Sequence, residues 1–203
     1  MSIDNSWFDT AFGPTPLMAI LRGLGRARTI RTAQTAWELG IQLVEVPLQS
    51  PGDIDTLAEL ADLARAEGFA VGAGTVTTRE HVDQARRAGA RFVVSPGWDL
   101  DISAYAADHG LHPLPGVGSA TDVQTATAQG LTWLKAFPAA ALGRNWITLM
   151  KGPFPHTRFV ATGGISATNA DTFLEAGAQA VAVGSSLGDP DQLPLLAKIA
   201  ARV

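Results

Sequence analysis

"AQGLTWLKAF", Ala128 to Phe137, ends a helix-like stretch at Gly130 and runs directly into consecutive apolar residues. The same grammar returns along the chain as "ELGIQLVEV", "AEGFAVGAG", "AGARFVVSP", "DHGLHPLPG" and "AGAQAVAVG", turning at Gly40, Gly68, Gly89, Gly110 and Gly177. A glycine just past a helix adopts the left-handed conformation without the penalty a side chain incurs. The apolar runs that follow suit parallel strands buried on both faces.

With "LMAIL" at Leu17 to Leu21 and "RFVATGG" from Arg158, the repeat gives eight strands. They fall near residues 17–21, 41–47, 70–74, 91–95, 111–115, 131–137, 158–162 and 180–184. Helix starts are signalled between them by Thr77 with Glu80 and Ser119 with Asp122, which fit capping boxes, and by Ser166 as an N-cap. Eight strands alternating with helices favour an α/β fold, a compact (β/α)8 TIM barrel, with a doubly wound open sheet as the structural alternative. Residues before Leu17 are expected to form a short helix closing the barrel bottom. The 203 residues, 1–203, are read as a single domain, with no linker or low-complexity stretch.

Composition narrows the function. A net charge of -4 without a Lys/Arg cluster argues against nucleic-acid binding. The absence of cysteine excludes disulfides, thiolate metal sites and a cysteine nucleophile. No apolar stretch approaches the roughly 18 residues of a membrane span, and the start, "MSIDNSWFDT", lacks a basic region leading into an apolar run. A soluble cytoplasmic protein is the expectation. With 17% charged residues the surface is poor in charge, consistent with faces buried against other subunits.

In a barrel of this kind chemistry belongs at the C-terminal ends of the strands. Those ends carry Arg22, Glu45, Thr75, Pro96, Lys135, Gly163 with Gly164, and Gly184 with Ser185. Lys135 lies in "TWLKAFPAA", flanked by apolar residues, where burial costs several kcal/mol unless the ammonium is paired or gives up its proton. A desolvated amine has a lowered pKa and attacks carbonyls. Glu45 poses the same question in "LVEVPLQSP". From pattern alone two readings stand side by side: a structural ion pair, or a nucleophile with its proton-transfer partner. Arg22 and Thr75 at the same mouth favour the second. The chain has only two other lysines, Lys151 and Lys198, both read as solvated.

The glycine motifs "TGGIS" and "VGSSL" follow the seventh and eighth strands, where barrel loops commonly build a phosphate site. His81, His109, His112 and His156 are scattered and read as loop and strand histidines, so no metal site is expected. For Trp98, Phe137 and Trp146 three roles stand open, subunit contacts, the barrel mouth or plain packing, with packing favoured for each.

The stretches "ILRG", "VEVPLQSP", "GAGTV", "VVSPGW", "LKAFPAAALG" and "TGGIS" resemble, in order and spacing, the pyruvate-dependent 2-keto-3-deoxy-6-phosphosugar acid aldolases. The resemblance runs from about Leu17 to the end of the last strand. It implies a class I aldolase on a (β/α)8 barrel, a homotrimer that needs no metal or other cofactor. Lys135 takes the Schiff-base position and Glu45 the general acid and base position, acting through a water. Arg22, Thr75 and Pro96 take positions associated with the keto-acid carboxylate, and Gly163, Gly164, Gly184 and Ser185 the phosphate. "ILRG" and "VPLQSP", with Gln49, look like the phosphogalactonate type, whereas Thr162 looks like the phosphogluconate type. The implied reaction is reversible cleavage of 2-keto-3-deoxy-6-phosphogalactonate to pyruvate and glyceraldehyde 3-phosphate. The alternatives are the gluconate epimer, a 4-hydroxy-2-oxoglutarate-type aldolase, and a non-catalytic phosphosugar-binding barrel.

Overall fold

The computed structural model describes residues 2–202. Its strands are β1 (Leu17–Ile20), β2 (Leu43–Pro47), β3 (Ala70–Gly74), β4 (Phe92–Val94), β5 (His112–Leu114), β6 (Gly116–Val117), β7 (Trp133–Ala136), β8 (Arg158–Thr162) and β9 (Ala180–Val183). The helices are α1 (Trp7–Ala11), α2 (Arg26–Glu38), α3 (Gly52–Glu67), α4 (Arg79–Arg87), α5 (Leu100–Asp108), α6 (Ala120–Ala128), α7 (Ala139–Leu142), α8 (Arg144–Lys151), α9 (Ala170–Glu175) and α10 (Leu193–Ala200). Gly40, Gly68, Gly89, Gly110, Gly130 and Gly177, the glycines of the repeat, all have positive φ.

Every strand pairing is parallel, in the order β5-β4-β3-β2-β1-β9-β8-β7-β6. β1 lies between β2 and β9, with Met18 opposite both Leu43 and Ala182, so first and last strands meet. That pairing rules out the doubly wound sheet. β5 and β6 stand at the two ends of the order, yet only Pro115 separates them in the chain. The expected fifth strand is therefore bent in two. Ser95 N donates to Leu114 O on one side and Lys135 N donates to Pro115 O at 2.9 Å on the other, so the chain itself completes the (β/α)8 TIM barrel. A proline, lacking an N–H, suits the bend because it has no ladder bond to lose.

Alternation along the strands sorts the core into two populations. Ala19, Val44, Ala73, Val93, Leu134 and Val181 belong to the cluster that meets the helices. Met18, Leu43, Phe92, Leu114, Trp133 and Val160 fill the barrel interior. The interior cluster is completed from below by Phe8 and Phe12, at the start and end of α1, the short N-terminal helix that was expected. Phe8 is fully buried, and complete burial of such a side chain contributes about 1.5–3 kcal/mol. Phe12 stacks on Trp133 with centroids 4.9 Å apart, and Trp133 Nε1 donates to Asp9 Oδ1. Asn5 anchors the segment: its amide donates to Pro113 O and Trp133 O and accepts from Thr132 N and Trp133 N.

Three local expectations need correction. The N-cap of α4 is Thr78, whose side chain accepts from His81 N, one residue beyond the Thr77 and Glu80 pair. α9 begins at Ala170 after Asn169, not at Ser166; the Asn169 side chain accepts from Ser166 N and donates to Gly164 O. Lys151 is half-buried rather than solvated, donating to Pro155 O and Thr157 O. The Ser119 and Asp122 capping box opens α6 as read. Among the described residues no helix is long and apolar enough to cross a membrane.

Candidate active site

The interior positions one step above the Leu43 and Trp133 layer are Glu45 on β2 and Lys135 on β7, both placed inward by alternation. Glu45 is fully buried and Lys135 only 3% exposed. Among the described residues neither Glu45 oxygen has a hydrogen-bond partner. Burial pushes the Glu45 carboxyl above its usual range, against the pull of Lys135 and Arg22. Burial pushes the Lys135 amine below its usual range; the Glu45 charge opposes this and the Arg22 charge adds to it. The two groups sense each other, yet among the described residues they form no salt bridge within 4.0 Å.

Glu45 fits because β3 reads "AVGAG". A Cβ at Gly74 would overlap Glu45 Oε1, and a Cβ at Gly72 would overlap the Phe92 ring. Glycine in a strand interior is a sign of close approach, so the signal was present in the sequence, although Gly74 was not singled out. Thr75, directly after Gly74, has φ 58, a left-handed conformation that non-glycine residues adopt at a cost. Pro96 is exposed, and its carbonyl sits where a Cβ on Gly116, the register partner of Lys135, would have to go.

A cleft of about 740 Å³ opens beside this pair. Arg22, Thr162, Gly163, Gly164, Gly184 and Ser185 all line it, which brings the anchors read on β1, β8 and β9 to one place. Phe137 lines it too, with Lys135 Nζ 4.6 Å from its ring centroid, so this ring borders the amine rather than serving packing alone. Trp146 packs edge-on against Phe159 at 5.4 Å, and Trp98 is half-buried against the core. Gln49 stands exposed past the end of β2, where its N–H donates to Asp53 Oδ2, and it does not line the cleft. Arg28, which sequence reasoning passed over, does line the cleft. His112 stacks on Trp7 at 4.7 Å and His109 Nδ1 meets Tyr105 O at 2.8 Å, so the two histidines of "DHGLHP" serve separate contacts.

A buried amine, a buried carboxyl that senses its charge and a glycine-lined cleft with arginines are suited to binding an anionic carbonyl compound and moving protons on it. Known proteins agree with that chemistry. Residues 9–201 match the family model for KDPG and KHG aldolase. The chain is 35% identical over 176 residues to a probable 2-dehydro-3-deoxy-6-phosphogalactonate aldolase of Rhizobium meliloti (86% of this chain, 82% of that protein). It is 34% identical over 196 residues to the 2-dehydro-3-deoxy-phosphogluconate aldolase of Zymomonas mobilis (95% and 91%). The crystal structure of the 2-keto-3-deoxy-6-phosphogluconate aldolase of Zymomonas mobilis ZM4 with 3-phosphoglycerate superposes with a TM-score of 0.84 at 30% identity, covering 98% of this chain and 97% of that one. A family match over residues 9–201, and relatives at 34–35% identity that cover 86–95% of this chain, leave one conclusion: this chain belongs to the KDPG and KHG aldolase family.

Proposed function

We propose that the protein is a class I aldolase that reversibly cleaves 2-keto-3-deoxy-6-phosphogalactonate to pyruvate and glyceraldehyde 3-phosphate. The observation that carries this reading is the Lys135 and Glu45 pair, both buried, both pushed towards their neutral forms and held apart beyond salt-bridge reach. A structural ion pair would be in contact. A nucleophile and its proton carrier need room between them for a substrate.

Lys135 Nζ attacks the C2 ketone and forms a carbinolamine, and loss of water gives the iminium. Glu45 carries protons in both steps. The C4 hydroxyl then surrenders its proton to Glu45 as the C3–C4 bond breaks, and the bonding pair moves into the iminium to give an enamine. Glyceraldehyde 3-phosphate leaves. Proton return to C3 and hydrolysis release pyruvate and free Lys135. Proton transfers of this kind contribute about 10²- to 10⁴-fold each. Arg22 anchors the carboxylate through a charge-assisted contact, with Thr75 offering a hydroxyl and Pro96 bordering the same subsite. Gly163, Gly164, Gly184 and Ser185 receive the phosphate at backbone amides that glycines leave open to approach.

The galactonate epimer is favoured by "ILRG", by "VPLQSP" with Gln49, and by the segment "FPAAALGRNWI". Thr162, whose Oγ1 donates to Val160 O at the edge of the cleft, looks like the gluconate type and makes the epimer the first specificity to measure. The assembly we propose is a homotrimer, in keeping with the charge-poor surface and with exposed apolar side chains such as Leu149 at 68%.

Borohydride reduction in the presence of pyruvate, followed by peptide mass mapping, tests the mechanism. A stable adduct on Lys135 alone is the expected result. No adduct at saturating pyruvate would overturn Schiff-base chemistry and leave a phosphosugar-binding barrel in its place. Comparison of kcat/KM for the two synthetic epimers then assigns the substrate.

A further inference from the structure

α2 starts against the local electrostatic rule. Its N-cap is Gly25 with no side-chain cap, its first turn holds no acid, and Arg26 and Arg28 stand there instead. A helix N-terminus carries partial positive charge, so cations in the first turn are unfavourable. Arg26 is compensated, with Nε 2.7 Å from Glu59 Oε2, and it points away from the cleft into the neighbouring groove between α2 and α3. Arg28 is not compensated: among the described residues no carboxylate lies within 4.0 Å of it.

Arg28 faces the glycine end of the cleft. It lines the cavity together with Gly184, Ser185 and Gly188, and its Nη2 lies 3.0 Å from where a Cβ on Gly188 would be. Gly188 closes the 3-10 turn Ser185–Gly188 that follows β9. Among the described residues no Asp or Glu lines this cleft, and its other guanidinium, Arg22, extends from the end of β1 and acts electrostatically on Lys135 and Glu45. One free guanidinium thus serves the amine end and another the glycine end. A substrate with an anion at each end fits that spacing of charge.

We infer that Arg28 binds the phosphoryl group of the substrate and thereby sets the preference for a phosphorylated aldehyde half over its unphosphorylated counterpart. The inference rests on the aldolase reading of the cleft and adds a cation to a site otherwise built from backbone amides and a hydroxyl. The guanidinium fork matches phosphate geometry, and a charge-assisted contact of this kind is among the stronger polar interactions.

The test has two readouts. The first is inorganic phosphate binding, followed by thermal stabilisation of the wild type, Arg28→Ala, Arg28→Lys and Arg26→Ala. The second is the ratio of kcat/KM for addition of pyruvate to glyceraldehyde 3-phosphate over glyceraldehyde. Arg28→Ala should weaken phosphate binding and lower the ratio on the order of tenfold, through KM more than kcat, the scale of one lost charge-assisted contact. Arg28→Lys should recover part of both, and Arg26→Ala should match the wild type. Phosphate binding unchanged in Arg28→Ala, equal losses in Arg26→Ala, or no phosphate binding by the wild type would each overturn the assignment. If the wild type turns over neither aldehyde, the aldolase reading fails by itself, and phosphate binding still decides for or against Arg28.

Discussion

Gly74 on β3 stands where one added methyl group would overlap Oε1 of Glu45 on β2, so the carboxyl occupies space that the neighbouring strand leaves empty. Gly74→Ala should therefore displace Glu45 and lower kcat by at least about 10²-fold, the contribution of one proton-transfer group, with overpacking costing about 1–3 kcal/mol. Gly72→Ala is the informative contrast. Its added methyl would meet the Phe92 ring, in the layer below, so it should lower Tm with a far smaller effect on kcat. Equal kinetic losses in the two variants would mean that Gly74 acts only through packing.

The pH dependence of adduct formation follows the amine. Lys135 must be unprotonated to attack, and burial holds it below its ordinary 10.5, so the acid limb should lie below that value. The Glu45 charge opposes the depression, so Glu45→Gln should move the limb to lower pH. The Arg22 charge adds to it, so Arg22→Ala should move the limb to higher pH. Rates of borohydride trapping with pyruvate across pH would show both displacements; shifts of the same sign would contradict the electrostatic assignment. Stability has a matching sign. Between the folded value and 10.5 the unfolded chain holds the extra proton, so this lysine makes unfolding free energy rise with pH there. Lys135→Met should abolish that rise.

Asn5 tests the barrel floor without touching the chemistry. Its buried amide serves backbone groups of Pro113, Thr132 and Trp133, and Asn5→Ala would leave them unpaired. The cost should be about 3 kcal/mol, lowering Tm by roughly 6–12 °C. KM and kcat at 25 °C should hold. A kinetic change without a thermal one would refute the structural role.

Thr75 is held in a left-handed conformation at φ 58 beside the buried pair. Glycine there would relieve about 1–2 kcal/mol of steric cost and give back about 0.5–1 kcal/mol in chain entropy. Thr75→Gly should keep or raise Tm while KM for pyruvate in the synthetic direction rises several-fold. A fall in Tm with unchanged KM would show that the threonine serves stability.

Most of the barrel could be read from the helix, glycine and apolar-run repeat, because that repeat is the local physics of a βα unit: a left-handed turn and a strand buried on both faces. The fifth strand was legible only as one run, since nothing in "LHPLPG" reveals that its halves serve different neighbours; the bend at Pro115 follows from closing the circle. Glu45 and Lys135 were legible because a charge inside an apolar strand is conspicuous. Gly74, Thr75's backbone and Arg28 are different in kind. What matters about each is a distance or an angle to something remote in the chain, and Lys151 was misread for the same reason, its two acceptor carbonyls being fixed by a loop.

The pairing of β1 with both β2 and β9 also has a meaning in time. During synthesis the partner for the second edge of Leu17 to Ile20, Ala180–Val183, is made more than 160 residues after them. Until then β1 presents an unpaired edge, the kind of edge that invites pairing with another chain. A nascent chain stalled after β8 should therefore bind chaperones and aggregate where the finished one does not, and release of the last strand should end that exposure in a single step.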